Sequence, residues 1–273
     1  MKCLFRRNWH TSVRRGDDDV LESETSYLDT DRESVARLRV GVSDFVIRDA
    51  EWEEQRPVPE GRKVHPVPML TGKDAYFNAG PALRELTAVT DDPLLAPLFA
   101  ETVKGIIQAE TFIWKERGYS SAEEYEQSWE ESYKGSCRYY SNLDRLTQTW
   151  FEHVGETTRE GNLFVRFKTQ TLYSQGNDTF LLVGNFSDSF HQVSVALTLD
   201  REMEVKKAEG NLLRAPDAVC KESAVFMEEL VGLNLKGMTK KELANVLGRE
   251  QGCVHVIDLT YDVAQVLHYC AEL

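Results

Sequence analysis

The sequence predicts an α+β protein: two tandem related domains, each a set of antiparallel strands followed by helices packed on one face, joined by a helical connector. Three observations lead there. Residues 4–40 slide onto 163–199 without a gap, so that Leu4 meets Leu163, Phe5 meets Phe164, Arg7 meets Arg166, Asp19 meets Asp178, Asp29 meets Asp188 and Leu38 meets Leu197. At nearly the same offset Val103, Ile106 and Ile107 fall on Val263, Val266 and Leu267, a period of roughly 160 residues that suits two domains and not a solenoid. In both segments alternating apolar text gives way to helical stripes. The expected boundaries are 1–115 for the first copy, 116–160 for the connector and 161–273 for the second copy.

In the first copy, residues 5–14 and 35–42 read as strands, set apart by the Gly16-Asp17-Asp18-Asp19 turn signal and by residues 29–33. Residues 45–47 extend the region. Pro57, Pro59, Pro66 and Pro68 mark a loop, and residues 81–88 and 93–110 read as helices, the longer with Leu95, Leu98, Ile106 and their neighbours on one side. In the connector, Ser120-Ser121-Ala122-Glu123 is a capping-box pattern. Tyr125, Trp129 and Tyr133 recur every four residues after it, and Tyr139, Leu143, Leu146 and Trp150 make a second stripe. These read as two helices packing aromatics onto the domains, with a lid or partner-binding hairpin as the alternative.

In the second copy, residues 162–174 and 178–186 form a hairpin turning at Gln175-Gly176-Asn177. Residues 192–199 alternate strictly, and residues 203–208 follow as a strand. Residues 218–231 read as helix. Thr239-Lys240-Lys241-Glu242 is a capping box for the helix that Gly248 ends, and a last helix runs from about Val254.

Composition narrows the function classes. A chain of 273 residues with 41% hydrophobic and 28% charged residues can bury ordinary cores. Its net charge of −13 argues against nucleic acid, whose phosphates need a basic surface. The basic pairs Arg6-Arg7 and Arg14-Arg15 read as a solvated face. No apolar run reaches the ~18–20 residues of a membrane span, and the first residues have no signal-peptide core. Five cysteines without framework spacing fit a reducing compartment, so the sequence predicts a cytoplasmic protein, off the membrane, with a protein as its possible partner.

The densest chemistry is Gly252-Cys253-Val254-His255, at a helix start where free N–H groups favour a thiolate. The thiol and imidazole can share a metal ion or act as nucleophile and base; buried cysteine and satisfied histidine are the ordinary outcome. Cys220 starts a helix after Pro216-Asp217, and His191 starts the alternating strand. Cys270 belongs to the final apolar stripe, while Cys3, Cys137, His10, His153 and His268 have no partner pattern.

The stretch Leu230-Val231-Gly232-Leu233-Asn234-Leu235-Lys236-Gly237, followed by Gly252-Cys253-x-His255-x-x-x-Leu259, resembles the C-terminal signature of an uncharacterised bacterial domain-of-unknown-function family. Val256 stands where that family has Leu. A more distant resemblance is to the iron–sulfur cluster assembly scaffolds of the NifU/IscU type. Their three ligand cysteines open a strand, the next helix and the last helix, and His191, Cys220 and His255 stand at those places here, with Lys236-Gly237-Met238-Thr239-Lys240-Lys241-Glu242 matching a downstream helix start. Two of the three cysteines would be histidines, and the aspartate after the first ligand is Val193, which puts transient cluster assembly in doubt.

The resemblance implies a metal-binding protein that holds Zn²⁺ or an iron–sulfur centre through His191, Cys220, Cys253 and His255, an N₂S₂ set. The first copy lacks the set. Arg32 replaces His191, Leu95 replaces His255, the segment matching Cys220 falls near Arg62-Lys63, and His65 is alone. Two other classes stay open: an enzyme with Cys253 or Cys220 as nucleophile and His255 as base, and a non-catalytic interaction module. The metal reading predicts that the four residues converge, with the Cys220 sulfur and a His255 nitrogen within about 4–5 Å.

Overall fold

The computed structural model describes residues 1–17, 19–56, 63–155 and 158–272, with side chains as far as His268. Strands β1 (Lys2–Arg15), β2 (Val20–Leu28), β3 (Glu33–Gly41), β4 (Ile47–Arg56) and β5 (Lys63–Pro66) come first. Helices α1 (Ala79–Val89), α2 (Leu95–Ala109), α3 (Ala122–Tyr133) and α4 (Trp150–Val154) follow. Then come β6 (Asn162–Gly176), β7 (Thr179–Asp188), β8 (Gln192–Leu199) and β9 (Val205–Arg214), and helices α5 (Ala218–Lys221), α6 (Lys240–Val246) and α7 (Val254–Ala264).

The strands are hydrogen-bonded in the order β5-β4-β3-β2-β1-β6-β7-β8-β9. One nine-stranded sheet therefore replaces the expected two tandem NifU/IscU-like domains. Alternation told which face of each strand is apolar; it says nothing about the neighbour along the hydrogen-bonding edge. In the sheet β1 and β6, the leading strands of the two matched segments, are neighbours. The chain divides into two compact units made of interleaved segments: Met1–Arg7, Glu126–Gly155 and Lys168–Leu273 in one, Asn8–Tyr125 and Glu156–Phe167 in the other.

In the unit that contains most of the N-terminal half, β1 to β5 run as an antiparallel meander. Its strand β4 extends well past the short stretch that the sequence suggested. The acidic run Asp49, Glu51, Glu53 and Glu54 hid it, because such residues are depleted in strands. Cross-strand pairing makes the run tolerable: Arg37 reaches Glu24 and Glu53 at 2.6 Å and Glu51 at 3.1 Å. Helix α2 lies so close to β1 that a Cβ on Gly105 would stand 2.9 Å from the Thr11 methyl. Pro57, Pro59 and Arg62 lie outside the described residues; Pro66 ends β5 and Pro68 opens a short 3-10 turn.

In the other unit, β7, β8 and β9 form an antiparallel meander. Val193, Val195, Leu197 and Leu199 of β8 are all buried, as the alternation requires. The β6–β7 turn takes left-handed backbone at Gly176, Asn177 and Asp178, residue types that tolerate it. Thr239 and Glu242 form the full capping box of α6. The segment after α5 is a 3-10 helix, Glu222–Leu230, and another, Gln265–Glu272, follows α7.

The connector departs from expectation. Helix α3 forms, and at its start the Ser121 hydroxyl accepts the Glu124 N–H while the Glu124 carboxylate accepts the Ser120 N–H, in place of the Ser120–Glu123 pair read in sequence. Residues 139–151 are not one helix; a 3-10 turn at Leu143–Arg145 and the start of α4 replace it. The aromatics stack among themselves, Trp129 on Tyr133 at 4.8 Å and Tyr133 on Tyr140 at 5.3 Å. Tyr125 and Tyr139 are buried. No helix among the described residues is long and apolar enough to cross a membrane.

Helix α7 packs on β7 at Gly184, where a Cβ would lie 2.6 Å from Val263 Cγ1 and 3.0 Å from Leu259 Cδ1. A larger residue must push the helix off the sheet. Gly184→Val is expected to destabilise the protein by about 1–3 kcal/mol, as overpacking does, measured by denaturant unfolding. Unchanged stability would show that α7 is not seated there.

Candidate metal centre

The end of β7 and the start of β8 are joined by a turn built on one carboxylate. Asp188 Oδ1 accepts the backbone N–H of Phe190 at 2.8 Å and of His191 at 2.7 Å, and it lies 3.2 Å from His191 Nδ1. Aspartate side chains favour this pattern because they bond backbone two and three residues on. An ionised carboxylate can only accept, so this contact favours a proton on His191 Nδ1. The same turn forms at Asp29, which accepts from the N–H groups of Asp31 and Arg32. There Arg32 occupies the histidine's place and pairs with Asp92.

Helix α7 supplies the third group. From Gly184 to Asp188 is four residues of strand, about 13 Å at ~3.3 Å each. From Val263 back to His255 is eight residues of helix, about 12 Å at ~1.5 Å each. The two paths match, so the contact at Gly184 delivers His255 to the Asp188 turn. His191 and His255 rings lie 3.9 Å apart between centroids, and Phe186 stacks on His255 at 5.2 Å. One ligand atom from each of Asp188, His191 and His255 falls within 4.8 Å of the others. Asp188 and His191 are buried, and His255 is half-buried.

Two further groups adjoin the trio. Arg214, the last residue of β9, donates through Nη2 to the carbonyls of Asp188 and His191. His153 of α4 lies with Nε2 2.9 Å from the Phe190 carbonyl, and burial holds its pKa below the ordinary histidine value.

Of the four ligands expected from sequence, His191 and His255 come together, and Cys253 Sγ lies 3.9 Å from His255 Nδ1. Cys220 belongs to the apolar core of the unit and is not one of the trio. Cys137, set aside in the sequence, joins Cys220 and Cys253 closely enough for their charges to interact. Arg138 explains the gathering: its backbone N–H bonds the Gly252 carbonyl at 2.8 Å and its Nε the Val219 carbonyl at 3.0 Å. Burial pushes the thiols of Cys220 and Cys253 up to about 12, and that of Cys137 also upward. Such thiols are protonated at neutral pH, which weakens the nucleophile-and-base reading. Sequence reasoning missed Asp188 as a site residue. Its signal was there as the Asp-x-x-His spacing of a side-chain-capped turn. The Cys270 side chain lies outside the described residues.

Residues 169–268 match a family described as "Protein of unknown function (DUF2889)". No curated protein and no solved structure matches the chain. The match lies in the second half, and it assigns no activity. Neither it nor the sheet carries the tandem duplication or the scaffold likeness.

The thiol environment has a direct test. In the native, metal-free protein Cys220 and Cys253 should react with a disulfide reagent at least ~100-fold more slowly than exposed Cys3, and equally fast after unfolding. A fast native Cys253 would restore the nucleophile reading.

Proposed function

We propose that the second half of the chain binds one divalent metal ion of the zinc class through Asp188, His191 and His255. A single observation carries this: three ligand atoms, two from the Asp188–His191 turn and one from α7, lie within 4.8 Å of one another, two of the residues buried. Bonds of about 2.0–2.2 Å place two ligands of one ion roughly 3.0–3.6 Å apart, so closure needs side-chain rotation of about 1 Å. Two imidazoles and a carboxylate are the ligand types of zinc and of non-haem iron(II) sites. The iron–sulfur alternative draws on thiolates, and the trio offers none.

Elemental analysis and zinc titration of the purified protein test the reading. One equivalent of zinc should bind. His191→Ala, His255→Ala and Asp188→Ala should each weaken it by about 10–100-fold or more, while Cys220→Ala leaves it intact. Absence of zinc binding, or its loss in Cys220→Ala with retention in Asp188→Ala, would overturn the assignment.

A further inference from the structure

We infer that the metal at this site keeps an open coordination position and takes a small oxyanion, a carboxylate or phosphate group, whose other end is held by Arg214. The inference rests on the metal reading and adds a ligand class to it.

Three protein ligands are the arrangement of reactive metal sites, in which the remaining position goes to water or substrate; closed structural sites use four. The trio supplies three. Its inner side is walled by buried Phe186 and Phe190, with Trp150 against Phe190 at 4.8 Å between ring centroids. Its outer side carries half-buried His255 and exposed Arg214, so the open position faces solvent.

Arg214 is placed by the sheet. It pairs with Gln192, the residue after His191, just past a bulge in the β8–β9 register, and it is exposed at the end of β9. Nη2 is spent on the Asp188 and His191 carbonyls, the backbone of two of the three ligands. That tether holds the guanidinium against the backbone of the Asp188–His191 turn. The hydrogens on Nε and Nη1 bond no described residue, which leaves three donors for a ligand.

Charge selects the ligand's sign. Asp188 and Arg214 cancel, and the imidazoles bind metal as neutral rings. A divalent ion therefore leaves the site with two net positive charges, facing an open coordination position. An oxyanion can give one oxygen to the metal and another to Arg214, with charge-assisted hydrogen bonds. A neutral ligand offers no such compensation.

Cobalt(II)-loaded protein tests this, since its visible bands report on coordination. Inorganic phosphate and acetate are the probes, each titrated into wild type, Arg214→Gln and Arg214→Lys at constant ionic strength. A saturable band shift with phosphate, with acetate or with both is expected, and which one responds names the oxyanion. Affinity should fall about tenfold or more in Arg214→Gln and recover in part in Arg214→Lys, with cobalt stoichiometry unchanged in all three. Cobalt bound one to one without any response to either anion would overturn the inference and leave the metal reading standing. So would equal affinity in wild type and Arg214→Gln. Failure to bind cobalt or zinc at all would remove both.

Discussion

The contact between α7 and β7 at Gly184 governs the chemistry of the second half. A glycine there lets Val263 and Leu259 approach the strand more closely than any side chain would allow. Because the helix runs back along the strand over matched lengths, that one close approach sets the position of His255 against Asp188 and His191. Phe186, between the contact and the trio, stacks on His255 and fills the space between them. The apolar core therefore does more than stabilise. It aligns two elements whose ends carry the ligands, a rigid support of the kind that metal geometry needs.

Some of this was legible in the sequence. The strict alternation of β8, the Gly176-Asn177 turn and the Thr239–Glu242 capping box are local patterns with local causes, and each formed where it was read. His191 and His255 were legible as element starts. Asp188 was not, because an aspartate at a strand end has a sufficient local reason to be there, as Asp29 illustrates. What distinguishes the two turns is the residue three on and the helix that arrives above it, and only tertiary structure supplies the helix.

The remaining failures lie in β4, the connector and the sheet. Strand β4 was obscured by carboxylates whose charge is answered by Arg37 on a neighbouring strand. The connector's aromatic spacing suggested two helices, yet Tyr140, beyond Gly135, stacks on Tyr133 of α3 and meets Tyr139 edge-on. The sheet's continuity was missed because hydrogen-bonding edges leave no mark in side-chain alternation. For the sheet and for β4 the deciding partner is on another strand.

The division of β1 has a consequence for how the chain is made. Met1–Arg7 belongs to the unit that otherwise begins at Glu126, and Phe5 is buried in a core whose other members run from Tyr139 to Leu267. During synthesis Phe5 must wait, unpartnered, for core partners far along the chain. Closing so long a loop is entropically mild but slow, and the waiting strand exposes apolar residues meanwhile. Strand β1 thus completes a core made mostly of residues from Tyr139 onward, and that core closes late, across a long stretch of chain.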